Sequence, residues 1–383
     1  MRWATCPAVL EGKTLQQIQR RIGALKRLQS SLLWPPLSEF EAFGRKYPLP
    51  VRACQPQIAE VAVERLKYLA GFLDGDGWVG SSKMSPAVSV QLSARSAEVL
   101  VLFRDAFGGG VANGQQGKGL KRPSLKWQLA RKGACSLAES LVDYTVVKRV
   151  HLKLVANWPS ERQQRNLAAQ ALSDLNHVNS PDTADESVNL SWAWLAGFVD
   201  AEGCIGIRPY RHACTFAISQ KHKRVLERIR KFLEGNGFKS AKVGFDGRSA
   251  YRLGVSTQRE QLALVECLLQ NGLLLKRNQA ETALKVEDLN HTELRNRMAA
   301  DAGNQKRYSR LDSDGCQRAR EIALLSERIR KSTKDMSKLK KLQVLREEHE
   351  FQNSITVYNT LRSDTKVLIS QGAQKQHLVG KQA

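Results

Sequence analysis

The stretches LAGFLDGDG at residues 69–77 and LAGFVDAEG at residues 195–203 decide how this chain is organised. Each begins with an apolar turn that contains small residues, and each ends with an acid followed by glycine. The two terminal acids, Asp76 and Glu202, lie 126 residues apart (202 − 76). That spacing is too long for a solenoid repeat and suits a small domain that is used twice.

The composition narrows the class of protein. A chain of 383 residues, 42% of them hydrophobic, is long enough for two domains with extensions. It has 60 Lys and Arg against 37 Asp and Glu, a formal charge of +23. Such an excess favours a polyanionic partner. Because no apolar run of about 18 residues could cross a bilayer, we expect nucleic acid and no membrane partner.

The cysteines and the N-terminus bear on the compartment. The seven cysteines are scattered and odd in number, which predicts reduced thiols in an intracellular protein, without a disulfide framework or a zinc finger. The basic residues 1–37 are compatible with an organelle transit peptide and with a short basic helix over residues 14–33. The location therefore stays open between an organelle (chloroplast or mitochondrion) and the nucleus.

Each copy of the repeated stretch is followed by the same predicted order of elements. Spacings of three and four predict a helix through each copy, and period-two alternation predicts the strands that follow. Both copies therefore give an αββαββα unit. We expect five segments: an appended N-terminal extension with a basic helix and a Pro-rich break at 1–62, unit 1 at 63–157, a linker at 158–190, unit 2 at 191–290, and a basic helical, coiled-coil-like C-terminal extension at 291–383.

Three details of this division can be compared with the structure. A short helix is expected at 162–175 within the linker. A long charged helix is expected at 318–349, where Arg, Lys, Glu and Leu dominate. Beyond about residue 363 we expect a frayed end.

Close packing of the two predicted motif helices would explain why each of them ends in an acid. Small residues such as Gly71 and Gly197 allow two helix backbones to approach closely, which would place Asp76 and Glu202 side by side. Helix C-termini already carry partial negative charge, so this pair requires a cation. Carboxylate oxygens suit Mg²⁺, which can polarise a phosphodiester and activate water. The residues therefore predict a divalent metal site.

Both stretches resemble the motif of the LAGLIDADG homing endonucleases, in the single-chain form with two motifs, and the resemblance covers about residues 63–290. It implies an α+β fold of two pseudo-symmetric αββαββα units, with the motif helices packed at the centre and the antiparallel sheets forming a saddle over double-stranded DNA. It also implies a monomer. The family's catalytic, metal-binding eighth motif position is Asp76 in one copy and Glu202 in the other, while the sixth, Asp74 and Asp200, is mainly structural.

Beyond the motifs, the resemblance implies further catalytic residues. Gln220 resembles the polar residue that ends a strand near the active-site water, and Ala94 is expected at the corresponding place in unit 1. Lys276 resembles the basic residue beside the scissile phosphate, and Lys148 is its looser counterpart. This grouping places Glu202 with Gln220 and Lys276, and it places the unit 1 acid with Ala94 and Lys148. It predicts an unequal pair of centres, impaired in unit 1.

Alternate strand residues supply candidates for the DNA-contacting face. Arg and Gln can form paired hydrogen bonds to base edges, whereas Lys mostly positions phosphates. The residues following the unit 1 acid are much less polar than those in unit 2, so weaker base reading is expected there. The DNA-binding candidates are Arg208, Tyr210, His212, Lys83, Lys126, Gln128, Arg248 and Arg252.

Three functions are compatible with these features. The acid pair and the basic charge favour a site-specific, Mg²⁺-dependent DNA endonuclease of the intron-associated homing type. An RNA-binding intron maturase is the second, since members of the family have taken that role, although intact acids argue against it as the sole activity. A non-catalytic DNA-binding protein is the third, suggested by Ala94.

Overall fold

The N-terminal extension is partly built into unit 1. The computed structural model describes residues 13–177, 187–208, 211–247, 249–303, 307–331 and 336–375. Phe40 and Ala42 are buried in the main core, and a strand of the extension joins the sheet of unit 1. The segment is therefore not the appendage that its prolines suggested, because short edge strands tolerate proline. Its elements are α1 (Leu15–Ser30), β1 (Leu32–Leu33), β2 (Glu39–Ala42), β3 (Arg45–Pro48) and β4 (Val51–Cys54).

Unit 1 is a five-stranded antiparallel sheet backed by helices. The strand order is β4-β7-β8-β6-β5, so the strand after the first motif lies at one edge. The elements are α2 (Val63–Asp76), β5 (Gly77–Ser82), β6 (Ser85–Ser93), α3 (Glu98–Phe107), β7 (Gly109–Asn113), β8 (Ser124–Ala130), α4 (Lys132–Leu141), α5 (Arg149–Ala156) and α6 (Arg162–Leu175). Helix α6 has the bounds predicted for the helix of the linker.

Unit 2 repeats this order with a four-stranded sheet, β11-β12-β10-β9. The elements are α7 (Trp192–Glu202), β9 (Gly203–Ile207), β10 (Cys214–Gln220), α8 (Lys223–Gly235), β11 (Ala241–Phe245), β12 (Tyr251–Val255), α9 (Gln258–Gln270), α10 (Arg277–Leu284) and α11 (His291–Asp301). One continuous apolar core contains residues of both units. These features confirm the predicted α+β class with two pseudo-symmetric units.

The repeated unit is longer than αββαββα. Helix α6 packs on β5, and Asn176 Nδ2 donates to the backbone oxygen of Val79 over 2.9 Å. Helix α11 takes the matching place on β9, where His291 Nε2 lies 2.8 Å from the backbone oxygen of Arg208. Both helices cover edge strands, whose unpaired backbone groups would otherwise be open to other chains.

The C-terminal extension packs against the N-terminal extension. The long charged helix expected at 318–349 is two helices, and the fraying expected beyond residue 363 is wrong, since Leu368 is buried and Arg307 holds Asp364 over 2.7 and 2.9 Å. Tyr358 packs on Ile18 of α1. Within the described ranges no helix has the length and apolarity needed to cross a membrane. The remaining elements are α12 (Ser313–Lys331), α13 (Met336–Ser370) and β13 (Gln374–Lys375), which pairs with β1.

Candidate active site at the seam between the motif helices

Two glycines set the distance between the motif helices. A Cβ on Gly71 would lie 2.0 Å from the backbone oxygen of Trp194, and a Cβ on Gly197 would lie 2.0 Å from the backbone oxygen of Tyr68. No larger residue fits at such a separation. One turn later, a Cβ on Gly75 would lie 2.3 Å from the Cβ of Ala201. The helices therefore stay in contact up to their C-terminal ends, and their last acids emerge next to each other.

The sixth motif acid of unit 1 is a buried hub. Asp74 accepts backbone hydrogen bonds from Val146, Val147 and Lys148 over 2.6, 3.0 and 2.7 Å. It also accepts one from Trp194 Nε1 over 3.0 Å, across the seam. Three of these donors lie in the segment that leads directly into α5, so the carboxylate fixes the backbone at the entry to that helix. Burial raises the pKa of Asp74, and the Lys148 charge and these hydrogen bonds oppose that rise.

The sixth motif acid of unit 2 has the same surroundings. Asp200 accepts backbone hydrogen bonds from Leu274, Leu275 and Lys276 over 2.7, 3.1 and 2.8 Å, and thereby fixes the backbone at the entry to α10. Its fourth donor is the hydroxyl of Tyr68, 2.7 Å away across the seam. Both sixth-position acids therefore have the structural role that the resemblance implies.

The two candidate lysines occupy equivalent positions. Lys148 Nζ donates to the backbone oxygen of Asp74 over 2.7 Å, at the end of α2. Lys276 Nζ donates to the backbone oxygen of Val199 over 2.8 Å and also to that of Asp200, at the end of α7. Burial lowers the pKa of both ammonium groups, and the surrounding acids oppose that change. Lys148 is thus as closely built into its unit as Lys276.

The eighth motif acids influence each other and both lysines. Desolvation raises the pKa of Asp76, and Lys276 opposes the rise more than Lys148 does. Desolvation and the charge of Asp76 raise the pKa of Glu202, and Lys148 opposes the rise more than Lys276 does. Each acid is therefore stabilised most by the lysine of the other unit. This crossed pairing differs from the grouping expected from the sequence.

The register of the strands corrects the counterpart of Gln220, whose side chain opposes the rise in the pKa of Glu202. Gly203 pairs with Ile218, and Gly77 pairs with Val90. Gln220 lies two residues beyond Ile218, so its counterpart lies two residues beyond Val90 and is Leu92. The expected counterpart, Ala94, follows the end of β6 instead. Unit 1 therefore presents an aliphatic side chain where unit 2 presents an amide.

The carboxylates fit a divalent cation. The Asp76 side chain reaches solvent and accepts no hydrogen bond from any residue within the described ranges. Those ranges contain no group of three or more His, Cys, Asp and Glu that could hold a metal. Two carboxylates alone would leave coordination positions for water and phosphate oxygens. Mg²⁺ is commonly bound in that way, by one or two carboxylates together with substrate phosphates.

The predicted DNA-contacting residues are distributed over both sheets. Lys126 pairs with Gln91 and Gln128 with Ser89, on the same face as Trp78. In unit 2, Arg252 pairs with Ser219, on the same face as the exposed Cys204. Arg208 directly follows β9 of unit 2, and His212 is exposed beyond it. In unit 1, Lys83 lies in the β5–β6 turn at φ +48°, off the sheet face. Tyr210 and Arg248 lie outside the described residues.

A cavity of about 1840 Å³ extends from Asp76 to the C-terminal extension. Asp76, β9 and the start of α10 line one side, and residues of α11, α12 and α13 line the other. The lining includes the exposed Arg211 and Arg320 and the half-buried Arg295. No local sequence pattern indicates this cavity, because its two sides are remote along the chain.

His151 gives a pH dependence that can be measured. It is buried one turn after the start of α5, where burial and the Lys148 charge lower its pKa to about 4. An unfolded histidine has a pKa near 6.5, so the unfolded chain binds this proton first and stability falls as pH drops below 6.5. Between pH 7.5 and 5 we expect the free energy of unfolding of the wild type to fall by about 2 kcal/mol relative to His151→Gln.

Urea unfolding of both proteins at several pH values measures this difference. The comparison isolates the histidine, because the acids with raised pKa values act in the opposite sense and are present in both proteins. A difference that does not change with pH would show that His151 is protonated as readily in the folded chain as in the unfolded one.

Parts of the chain are similar to known proteins. No model of a known protein family matches the chain. A protein of Dictyostelium citrinum named "Probable intron-encoded endonuclease aI3" is 25% identical over 178 residues, which cover 43% of this chain and 73% of that protein. The solved LAGLIDADG homing endonuclease I-GzeII, in complex with a DNA target, is 14% identical with a TM-score of 0.46, covering 62% of this chain and 97% of that one.

A second solved structure, the I-LtrWI LAGLIDADG homing endonuclease bound to target DNA, is 16% identical with a TM-score of 0.48, covering 62% of this chain and 98% of that one. The likeness is more specific in the residues of the chain itself. Its two LAGLIDADG-like stretches cross through paired glycines, their sixth-position acids hold the segments that lead into α5 and α10, and their eighth-position acids meet at the seam. In these features the chain resembles the two-motif, single-chain LAGLIDADG homing endonucleases.

Proposed function

We propose that this chain is a monomeric, site-specific endonuclease that hydrolyses both strands of double-stranded DNA, with Mg²⁺ held by Asp76 and Glu202. One observation carries the proposal: the acids that end α2 and α7 lie next to each other where these helices pack, each close to the buried Lys148 and Lys276. The name of the Dictyostelium citrinum relative agrees with this activity.

The residues of the chain have separate roles in hydrolysis. Bound Mg²⁺ supplies Lewis-acid chemistry at the phosphodiester. Lys148 and Lys276 place positive charge where negative charge develops on the phosphoryl oxygens. Gln220 lowers the pKa of Glu202 and presents an amide that can orient a water molecule, whereas Leu92 presents none. The two strands are therefore attacked in unequal surroundings.

The charge distribution favours DNA as the partner. The outer face of the unit 2 sheet carries Lys242 and Arg252, and Arg208 follows its first strand. Among the strand-paired residues on the corresponding face of unit 1, Lys126 carries a positive charge. The C-terminal extension adds further positive charge, since residues 324–346 contain eight Lys and Arg against two Asp and Glu. Such a surface attracts phosphates, and specificity comes from the sheet residues that reach base edges.

Selection from a DNA library tests the proposal. The full chain is incubated with long duplexes of randomised sequence, with Mg²⁺ or with EDTA, and the cut molecules are sequenced. We expect one family of related sites, cut in both strands and only with the metal. Enrichment of no site, or equal cutting by Asp76→Asn together with Glu202→Gln, would overturn the proposal. Electrophoretic binding to the recovered site then separates loss of cleavage from loss of recognition.

A further inference from the structure

Each sixth-position acid takes one hydrogen bond from the other unit. Tyr68 of unit 1 donates to Asp200 Oδ2 over 2.7 Å, and Trp194 of unit 2 donates to Asp74 Oδ2 over 3.0 Å. Both aromatic residues immediately precede a motif, so they are equivalent under the pseudo-twofold symmetry. Both are buried, with 4% and 2% of their surface exposed. Two different donors therefore make the same exchange across the seam.

The hydrogen bonds lead from these aromatics to the lysines. Asp200 accepts from the backbone nitrogen of Lys276, and Lys276 Nζ donates to the backbone oxygens of Val199 and Asp200. The backbone and the ammonium group of this lysine are thus both fixed around one carboxylate. The Tyr68 hydroxyl, from unit 1, donates to that carboxylate as well. If the hydroxyl is lost, Asp200 loses one of its four donors in a site that excludes bulk water, and its best position changes.

An equivalent set of hydrogen bonds leads from Trp194 of unit 2 to Lys148 of unit 1. Asp74 accepts from the backbone nitrogen of Lys148, and Lys148 Nζ donates to the backbone oxygen of Asp74. Trp194 Nε1 donates to the same carboxylate from unit 2. Groups that orient the residues of a reaction centre commonly change rates by 10- to 100-fold without touching the substrate.

We propose that Tyr68 and Trp194 are positioning residues that act across the seam, Tyr68 on Lys276 and Trp194 on Lys148. The inference rests on the proposed nuclease activity and deepens it: each half of the protein completes the reaction centre that contains the other half's lysine. Neither aromatic side chain touches DNA in this arrangement, because both are buried between the motif helices.

Strand-resolved cleavage tests this coupling. A duplex with the recovered site is labelled on each strand in turn, and single-turnover rates are measured for both strands. Lys276→Met and Lys148→Met first show which strand depends on each lysine. We expect Tyr68→Phe to slow the Lys276-dependent strand by about 10-fold, and Trp194→Phe to slow the other strand by a similar factor. The unaffected strand in each variant should stay within about twofold of wild type.

Packing loss is separated from the loss of a hydrogen bond by a matched control. The Phe198 ring stacks on Trp194 with centroids 4.9 Å apart, and its side chain has no polar group. Phe198→Leu should therefore destabilise the seam and leave the ratio of the two strand rates unchanged. Trp194→Phe should change the ratio even at a temperature where both variants are fully folded.

The outcomes distinguish the inference from the activity on which it rests. If the wild type cuts no DNA, the proposed function fails. If the wild type cuts but both aromatic variants slow the two strands equally, or slow the same strand, the cross-seam positioning is wrong. Opposite strand preferences of the two variants, with nicked intermediates that accumulate in each, would support it.

Discussion

Asp76→Asn is expected to reduce double-strand cleavage by at least about a thousandfold while DNA affinity stays within about threefold of wild type. The substitution keeps the shape of the side chain and removes one of two carboxylates at the seam. The Asp76 carboxylate accepts no hydrogen bond from the described part of the chain, so no structural bond is lost. Catalysis should therefore fall without a matching loss of fold or recognition.

The same substitution should not lower stability. The charge of Asp76 raises the pKa of Glu202, which means that the two carboxylates repel each other when no cation is bound. Removing one of them relieves this repulsion. The attraction of Asp76 to Lys276 and Lys148 is lost as well, but desolvation of the charge outweighs it, since the pKa of Asp76 is raised overall. In EDTA the urea midpoint of Asp76→Asn should therefore equal or exceed that of wild type. A functional group that costs stability is common at reaction centres.

Cleavage, binding and unfolding are measured on the same preparations. Asp105→Asn is the matched control, because Asp105 is an exposed acid on α3 that forms an ion pair with the neighbouring Arg104. It should leave cleavage unchanged. If Asp76→Asn retains more than about a tenth of wild-type cleavage, this carboxylate is not part of the reaction centre.

The sequence was most informative where the chemistry is local and duplicated. The motif letters identified the small residues of the helix crossing and the acids that end it, because both depend on spacings within a single helix. The fold class followed, since each motif is succeeded by the same alternation of strands and helices. The helix at Arg162–Leu175 was predicted from its own periodicity in the same way.

Features set by long-range pairing could not be predicted in this way. Counting along the chain placed Ala94 opposite Gln220, whereas the strand ladders place Leu92 there. A change of two residues in register cannot be detected from alternation, because alternation has period two. The crossed influence of Lys148 and Lys276 also depends on how two helices pack, and no local pattern encodes that.

Gly71→Ala is expected to destabilise the protein by at least about 3 kcal/mol, although the substitution adds only a single methyl group. The added Cβ would meet the backbone oxygen of Trp194 at 2.0 Å, its carbonyl carbon at 2.8 Å and the backbone nitrogen of Phe198 at 3.1 Å. All three are backbone atoms, so no side-chain rotation can relieve the contact. The helices must move apart, and the acids at their ends move with them.

Gly23→Ala is the matched control, and its expected effect on the free energy of unfolding has the opposite sign. In an ordinary helix, Gly→Ala is stabilising by about 0.5–1 kcal/mol, because alanine loses less backbone entropy on folding. Gly23 lies within α1, and a Cβ there would meet only the end of the Arg27 side chain, at 3.6 Å. Gly23→Ala should therefore raise the free energy of unfolding by that amount, while Gly71→Ala lowers it. Urea unfolding of the two variants beside wild type measures both signs, and equal effects would show that the motif helices do not depend on glycine for their approach.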